Sequence, residues 1–297
     1  MCSSDLTFAA SAEVVSLVGA SPVFVDVLED TYNMDPKSLE AAIAMIKRDG
    51  KLRPRVVMPV DLFGQPADYV ALEPIIKREN LLMLCDTAQG FGGLWHGKRT
   101  GSFGDAAATS FFPAKPLGCY GDGGATFTND DGLIELLRSI HIHGQGADKY
   151  QNVRIGVNSR LDTIQAAILL EKMKLFPEEI EMREKIARRY SKALGQSNSI
   201  RVPRVIDGAQ STWAQYTIQV PDRDKLAADL KAKGVPTAIY YPIPMTAQKG
   251  YAHFPAAPVP VSTAIGKTVI SLPMHPYLDE KTQDLIIEAV LESVGRA

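Results

Sequence analysis

Cysteine is scarce. The 297 residues hold three, Cys2, Cys85 and Cys119, an odd number with no Cys-x-x-Cys spacing. That excludes a disulfide framework and a zinc ribbon, and reads as reduced thiols in a cytoplasmic protein. No apolar run is long enough to span a bilayer. The start has no charged, apolar and small-residue succession of a signal peptide. Neither sign of charge dominates: 32 Lys and Arg against 34 Asp and Glu leave a net charge of −2. The basic footprint of a nucleic-acid binder is therefore missing, as is a polybasic or amphipathic membrane anchor. His141-x-His143 has no carboxylate or third ligand at metal spacing, so no metal is expected. Gly121–Gly124 is followed by no Gly-Lys-Ser/Thr, which excludes a P-loop. Repeats and low-complexity tracts are also absent. What remains is a chain with 45% hydrophobic and 22% charged residues, long enough for one large and one small domain.

Strand-like apolar runs alternate with helical patterns through the first half. Ser21–Val27, Arg55–Val60 and Leu81–Cys85 read as strands, and Ala9–Leu17, a segment opened by Asp35-Pro36, and one ending near Ile76 read as helices. Continuous apolar strands between helices predict an α/β fold with a mainly parallel sheet covered on both faces. Met1–Leu6 shows no strand pattern. Phe176-Pro177 reads as a helix break, with a new helix to about Leu194. After it come a strand at Thr212–Val220, a helix at Asp224–Lys233, strands at Pro236–Tyr240 and Val269–Leu272, and a closing helix. The expected division is a large domain over 1–176 and a hinge helix with a smaller α+β domain over 177–297.

Chemistry is concentrated in Ser102–Asp130. Two short strand-like runs, Ala106–Phe112 and Ala125–Thr128, flank a turn-rich connector, and Lys115 sits there between Pro113 and Pro116. Ligands of open parallel sheets bind beyond the carboxyl ends of the strands. Asp61, Asp86 and Lys115 all fall at such ends. Alone, each reads as a cap, a turn former or a solvated lysine. Together they suit pyridoxal phosphate. Lys115 would hold the aldehyde as a Schiff base, provided that desolvation or a nearby positive charge keeps its amine neutral. Asp86 would pair with the pyridinium nitrogen and make the ring an electron sink. Gln89 would reach the ring hydroxyl and Ser110 the phosphate.

Ser110-Phe-Phe-Pro-Ala-Lys115-Pro-Leu-Gly followed by Gly121-Asp-Gly-Gly-Ala resembles the lysine segment of the DegT/DnrJ/EryC1/StrS sugar aminotransferases, which are fold-type-I pyridoxal phosphate enzymes. The likeness continues through Asp86-Thr-Ala-Gln89, Gly101-Ser-Phe-Gly-Asp105, Pro59–Gln65, Gly156-Val-Asn-Ser-Arg160, Tyr240-Tyr-Pro-Ile-Pro244 and Leu272-Pro-Met-His275. It covers nearly the whole chain from Thr7 onward. The resemblance implies that Phe8 stacks on the cofactor ring. It implies that Asn158 reaches the phosphate of a neighbouring subunit in a homodimer with shared sites. It also places Tyr241 and His275 near the sugar nucleotide. The substrates implied are glutamate and a nucleotide-linked keto sugar. The His141–Arg154 loop is most similar to the subgroup that aminates UDP-linked 3-keto-hexuronic acids for surface polysaccharide. A 4-keto sugar enzyme and a non-catalytic sensor on the same fold are the alternatives. Asp61 and Thr246 stand where many members carry histidine. The family also has a strand, and a helix with a Ser/Gly-Thr phosphate-binding turn, ahead of Thr7–Phe8. Met1–Leu6 does not match there, so the expectation is a truncated chain lacking that strand and one phosphate anchor.

Overall fold

The computed structural model describes residues 1–295. In chain order the elements begin with strand β1 (Cys2–Ser4), helix α1 (Ala10–Leu17), β2 (Val23–Val25), α2 (Pro36–Asp49), β3 (Val56–Met58), α3 (Tyr69–Arg78) and β4 (Leu82–Asp86). Two-residue strands β5 (Leu94–Trp95) and β6 (Lys98–Arg99) follow, then β7 (Ala106–Ser110), β8 (Gly124–Phe127), α4 (Asp131–Ile140) and α5 (Thr163–Leu194). The C-terminal part holds β9 (Ala209–Gln210), β10 (Tyr216–Gln219), α6 (Arg223–Ala232), α7 (Pro260–Thr268), β11 (Val269–Leu272) and α8 (Glu280–Val294).

The main sheet has the order β2-β1-β3-β4-β7-β8. All its pairings are parallel except the last, β7 with β8. The expected α/β sheet is therefore present. The chain leaves β1 for β2 on one side and returns to β3 on the other. That reversal opens a crevice at the carboxyl ends of β1 and β3. Helices start where the sequence offers caps. Asp35 accepts from Lys37 N–H with Pro36 in the first turn, and Asp68 accepts from Ala71 N–H.

Three expectations are corrected. A strand does precede the first helix: Cys2–Ser4 lies between β2 and β3, with Cys2 opposite both Val23 and Val57. Its sequence carries no strand signal because apolar neighbours on both sides impose the conformation. Next, α5 runs unbroken through Pro177. Proline removes one hydrogen bond, but packing holds the helix on either side of it. Phe176 stacks on Phe91 with ring centroids 6.2 Å apart, and Ile180 is buried with it against Phe111, Leu117 and Cys119. Farther along, Ile186, Tyr190 and Leu194 of the same helix enter the C-terminal cluster with Tyr216, Ile218 and Val290. Finally, Pro236–Tyr240 makes only an isolated bridge, Ala238 to Ser271. The Pro260–Thr268 helix carries no cap of its own. Asp26, at the end of β2, accepts from the Val261 and Ser262 N–H groups at 2.9 and 2.8 Å. A cap borrowed across 235 residues leaves no local signal. No described helix is long and apolar enough to cross a membrane.

Candidate active site

A cavity of about 530 Å³ opens at the carboxyl ends of the sheet strands. Its wall includes Thr7 and Phe8 after β1, Val60 after β3, Asp86 at the end of β4, and Ser110 with Lys115 after β7. Gln215, Tyr240 and Tyr241 from the C-terminal part complete it.

The lysine is held by a stiff turn. Lys115 N–H donates to Phe112 carbonyl at 2.9 Å, and Cys119 N–H returns to Phe111 carbonyl at 2.8 Å. Only glycine fits at 118, because a Cβ there would lie 2.6 Å from the Phe112 carbonyl oxygen. Burial lowers the Lys115 pKa, and the Asp86 charge opposes part of that shift. Asp86 is fixed at both oxygens. Oδ2 accepts from Ser11 Oγ at 2.7 Å and Oδ1 from Ala88 N–H at 3.1 Å. Ser110 Oγ accepts from Phe112 N–H at 3.2 Å, which leaves its own O–H free to donate. Gln89 is tied at both ends: Oε1 accepts from Phe63 N–H at 2.7 Å and Nε2 donates to Tyr241 OH at 3.2 Å. Phe8 is 57% exposed, a large apolar ring bare on the cavity wall. Its centroid is 6.3 Å from that of Tyr241.

Six of the eight residues expected at the site thus line one cavity: Phe8, Asp86, Gln89, Ser110, Lys115 and Tyr241. Asn158 and His275 do not line it; both are exposed. Asn158 sits in the loop after α4, bridged to Ile142. Ser11, which holds Asp86, and Gln215 were not singled out from the sequence. Ser11 could have been: it follows Thr7 by one helical turn, and the two hydroxyls lie 3.0 Å apart. Gln215 offers no local signal.

Asp61 and Thr246 do not line the cavity either. Thr246 binds the Asp5 carboxylate through its N–H and hydroxyl. Asp61 is fully buried behind the site, accepting from Tyr69 OH at 2.6 Å and Ala67 N–H at 2.8 Å. Its Oδ2 has no partner. Gly90 packs so closely that a Cβ there would lie 2.4 Å from the Asp61 Cβ. Burial pushes the carboxyl up to about 7. A carboxyl whose pKa is raised on folding stabilises the fold below its unfolded pKa, near 4, and loses that contribution as pH rises through 7. The loss amounts to about 4 kcal/mol at most. Urea midpoints should therefore fall between pH 5 and pH 8, and Asp61→Asn should flatten that slope. An unchanged slope in the variant would show that the acid is ionised throughout.

Residues 2–291 match the model of the DegT/DnrJ/EryC1/StrS aminotransferase family. The UDP-2-acetamido-2-deoxy-3-oxo-D-glucuronate aminotransferase of Pseudomonas aeruginosa is 47% identical over 284 residues, 96% of this chain and 76% of that protein. A DegT/DnrJ/EryC1/StrS aminotransferase crystal structure from Brucella abortus superimposes with TM-score 0.97 at 51% identity, over 99% of this chain and 79% of that one. The S. venezuelae DesV structure, solved in complex with a ketimine intermediate, gives 0.93 at 34% identity, over 100% of this chain and 79% of that one. The chain belongs to the DegT/DnrJ/EryC1/StrS aminotransferase family.

Proposed function

We propose that the protein is a pyridoxal phosphate-dependent aminotransferase that moves an amino group from glutamate to a UDP-linked 3-keto-hexuronate for surface polysaccharide. The observation that carries this reading is a lysine of lowered pKa sharing one cavity with a doubly anchored aspartate and a bare aromatic ring. The donor set suits the cofactor. An aldehyde calls for a neutral amine, a pyridine nitrogen for a fixed carboxylate, a flat ring for an apolar face, and a phosphate for a free hydroxyl. Lys115, Asp86, Phe8 and Ser110 answer these in turn. The choice of sugar rests on the 47% likeness to the Pseudomonas enzyme.

When bound, the cofactor supplies an electron sink for carbanion chemistry. Lys115 would hold the aldehyde of the group, and its free amine would act as general base at the donor Cα and pass that proton on before the keto acid leaves. In the second half the same amine would move a proton in the reverse sense, onto the sugar carbon that takes the amino group, so the kinetics are ping-pong. Asp86 would be the carboxylate that holds the ring nitrogen. The Ser11 and Ala88 hydrogen bonds stop that carboxylate from rotating away.

The same proposal includes a homodimer. Tyr150 and Ile155, 83% and 96% exposed, lie in the loop that carries Asn158, and Ile164, Leu170 and Met173 of α5 are exposed apolar side chains as well. Exposed apolar side chains that gather in a patch mark a protein interface. In such a dimer Asn158 reaches the partner's phosphate, and His275 lies toward the sugar nucleotide. The division at 176/177 belongs to this reading as well, supported by separate apolar clusters around the main sheet and around β10 and β11.

The test is a half-reaction followed in the visible. With glutamate alone, holoenzyme should lose its visible band and release one 2-oxoglutarate per site. A UDP-linked 3-keto-hexuronate should then restore the band and yield the amino sugar. Restoration by 4-keto sugars alone would move the assignment to the 4-keto enzymes, and no response to glutamate would favour the sensor.

A further inference from the structure

Of the polar side chains in the cavity wall that the scheme above leaves idle, Gln215 is the one that carries a buried atom without a hydrogen-bond partner. Asp86 and Gln89 have both ends occupied by protein groups, whereas Gln215 has neither. Its Oε1 is buried without a hydrogen-bond partner. Its Nε2 makes no hydrogen bond among the described residues. A buried, unpaired amide oxygen carries a desolvation cost, so the position calls for a reason.

The backbone at this point is not loose. Thr212 Oγ1 donates to the Gln89 carbonyl at 2.7 Å, tying the segment to the loop behind Asp86. Gln215 N–H donates to the Phe63 carbonyl at 3.3 Å, immediately before β10 begins. Gln215 also lines a second, closed cavity of about 10 Å³, with Thr31, Ser211 and Thr217 in its wall. Among the described residues it alone lines both cavities. The smaller one has about the volume of a single water molecule and hydroxyls enough to hold it. The side chain therefore stands between the two cavities: Oε1 is the buried end, and Nε2 is the donor left for whatever fills the main cavity.

The position of Gln215 decides what it meets. The groups assigned to the cofactor come from α1 and the carboxyl ends of the sheet strands. Gln215 comes instead from the C-terminal part of the chain, as do Tyr240 and Tyr241, which line the same cavity. We propose that Gln215 is a sugar-reading residue, whose Nε2 donates a hydrogen bond to the hydroxyl on the carbon next to the keto group. This rests on the functional reading above and adds to it the group that recognises the pyranose. A donor fixed in a partly buried wall discriminates strongly, because an analogue without the hydroxyl leaves it unpaired.

The test uses holoenzyme, Gln215→Leu and Gln215→Glu. Leucine removes both polar atoms, and glutamate keeps the shape while losing the donor, so either variant reports if the other fails to fold. The glutamate half-reaction should stay within about twofold of wild type. The KM for the keto sugar nucleotide should rise about 10- to 100-fold, the range for a lost hydrogen bond in a dry site. A deoxy analogue lacking the neighbouring hydroxyl should cost wild type the same factor and cost Gln215→Leu nothing further. Titration calorimetry with the nucleotide-linked amino sugar reads the contact without turnover. Equal affinity in wild type and Gln215→Leu would overturn the proposal, as would an equal loss in both half-reactions, which would put Gln215 on the cofactor. Failure of wild type to transaminate would instead overturn the functional reading.

Discussion

Lys115→Ala should abolish transamination, by at least about 10⁴-fold, while leaving the fold in place. The two halves of that expectation have separate grounds. The loss of rate follows from the two roles proposed for the lysine, covalent anchor of the cofactor and base that moves the proton. No other lysine lines the cavity. Survival of the fold follows from what the ammonium does not do. Nζ makes no hydrogen bond or ion pair among the described residues. The turn that carries it is held by backbone bonds from Phe111, Phe112 and Cys119 and by the tight fit at Gly118. Thermal melting of the apo-variant should therefore stay within a few degrees of wild type, and the visible band of the holoenzyme should vanish. A lysine-linked band persisting in Lys115→Ala would show that another amine holds the cofactor. The variant also tests the shared site. Hybrid dimers of Lys115→Ala with Asn158→Ala subunits should regain activity that neither parent dimer has. A mixture as inactive as its parents would place Asn158 outside the partner's site.

The sequence spoke most clearly where the physics is local. Lys115 between two prolines, Asp86 at the end of an apolar strand and Ser110 on the next one are readable because strand ends at a parallel sheet converge. The structure brings them to one cavity. Illegible were the features made by distant partners. Cys2–Ser4 becomes a strand only because apolar strands lie on either side of it. Helix Pro260–Thr268 is capped by Asp26 from another part of the chain. Pro177 fails to end a helix because Phe176 and Ile180 are packed on both sides of it. Asp61 looked like a third site group by position, yet Tyr69 and Ala67 turn it away from the cavity. Position along the chain gave the strand end; the direction of the side chain was decided by neighbours six and eight residues on.

Asp86→Asn should separate the two jobs of this carboxylate. Asparagine keeps an oxygen for Ser11 or for Ala88 N–H, so the geometry survives, but the charge is gone. Turnover should fall by roughly 10²–10³-fold, the scale seen when a group placed to stabilise transition-state charge is removed. The effect on Lys115 has the opposite sense. Burial lowers the Lys115 pKa and the Asp86 charge raises it. Removing that charge leaves burial unopposed, so the amine should lose its proton at a lower pH in the variant than in wild type. Capture of pyridoxal phosphate by the apoenzyme needs the neutral amine. Its pH–rate profile should therefore shift toward acid even though turnover is crippled. General damage to the site would slow both processes and shift neither profile. Faster capture at acid pH together with slower turnover would mean that Asp86 acts by charge; equal loss in both, with no displacement of the profile, would reduce it to a structural anchor for Ser11 and the loop that follows β4.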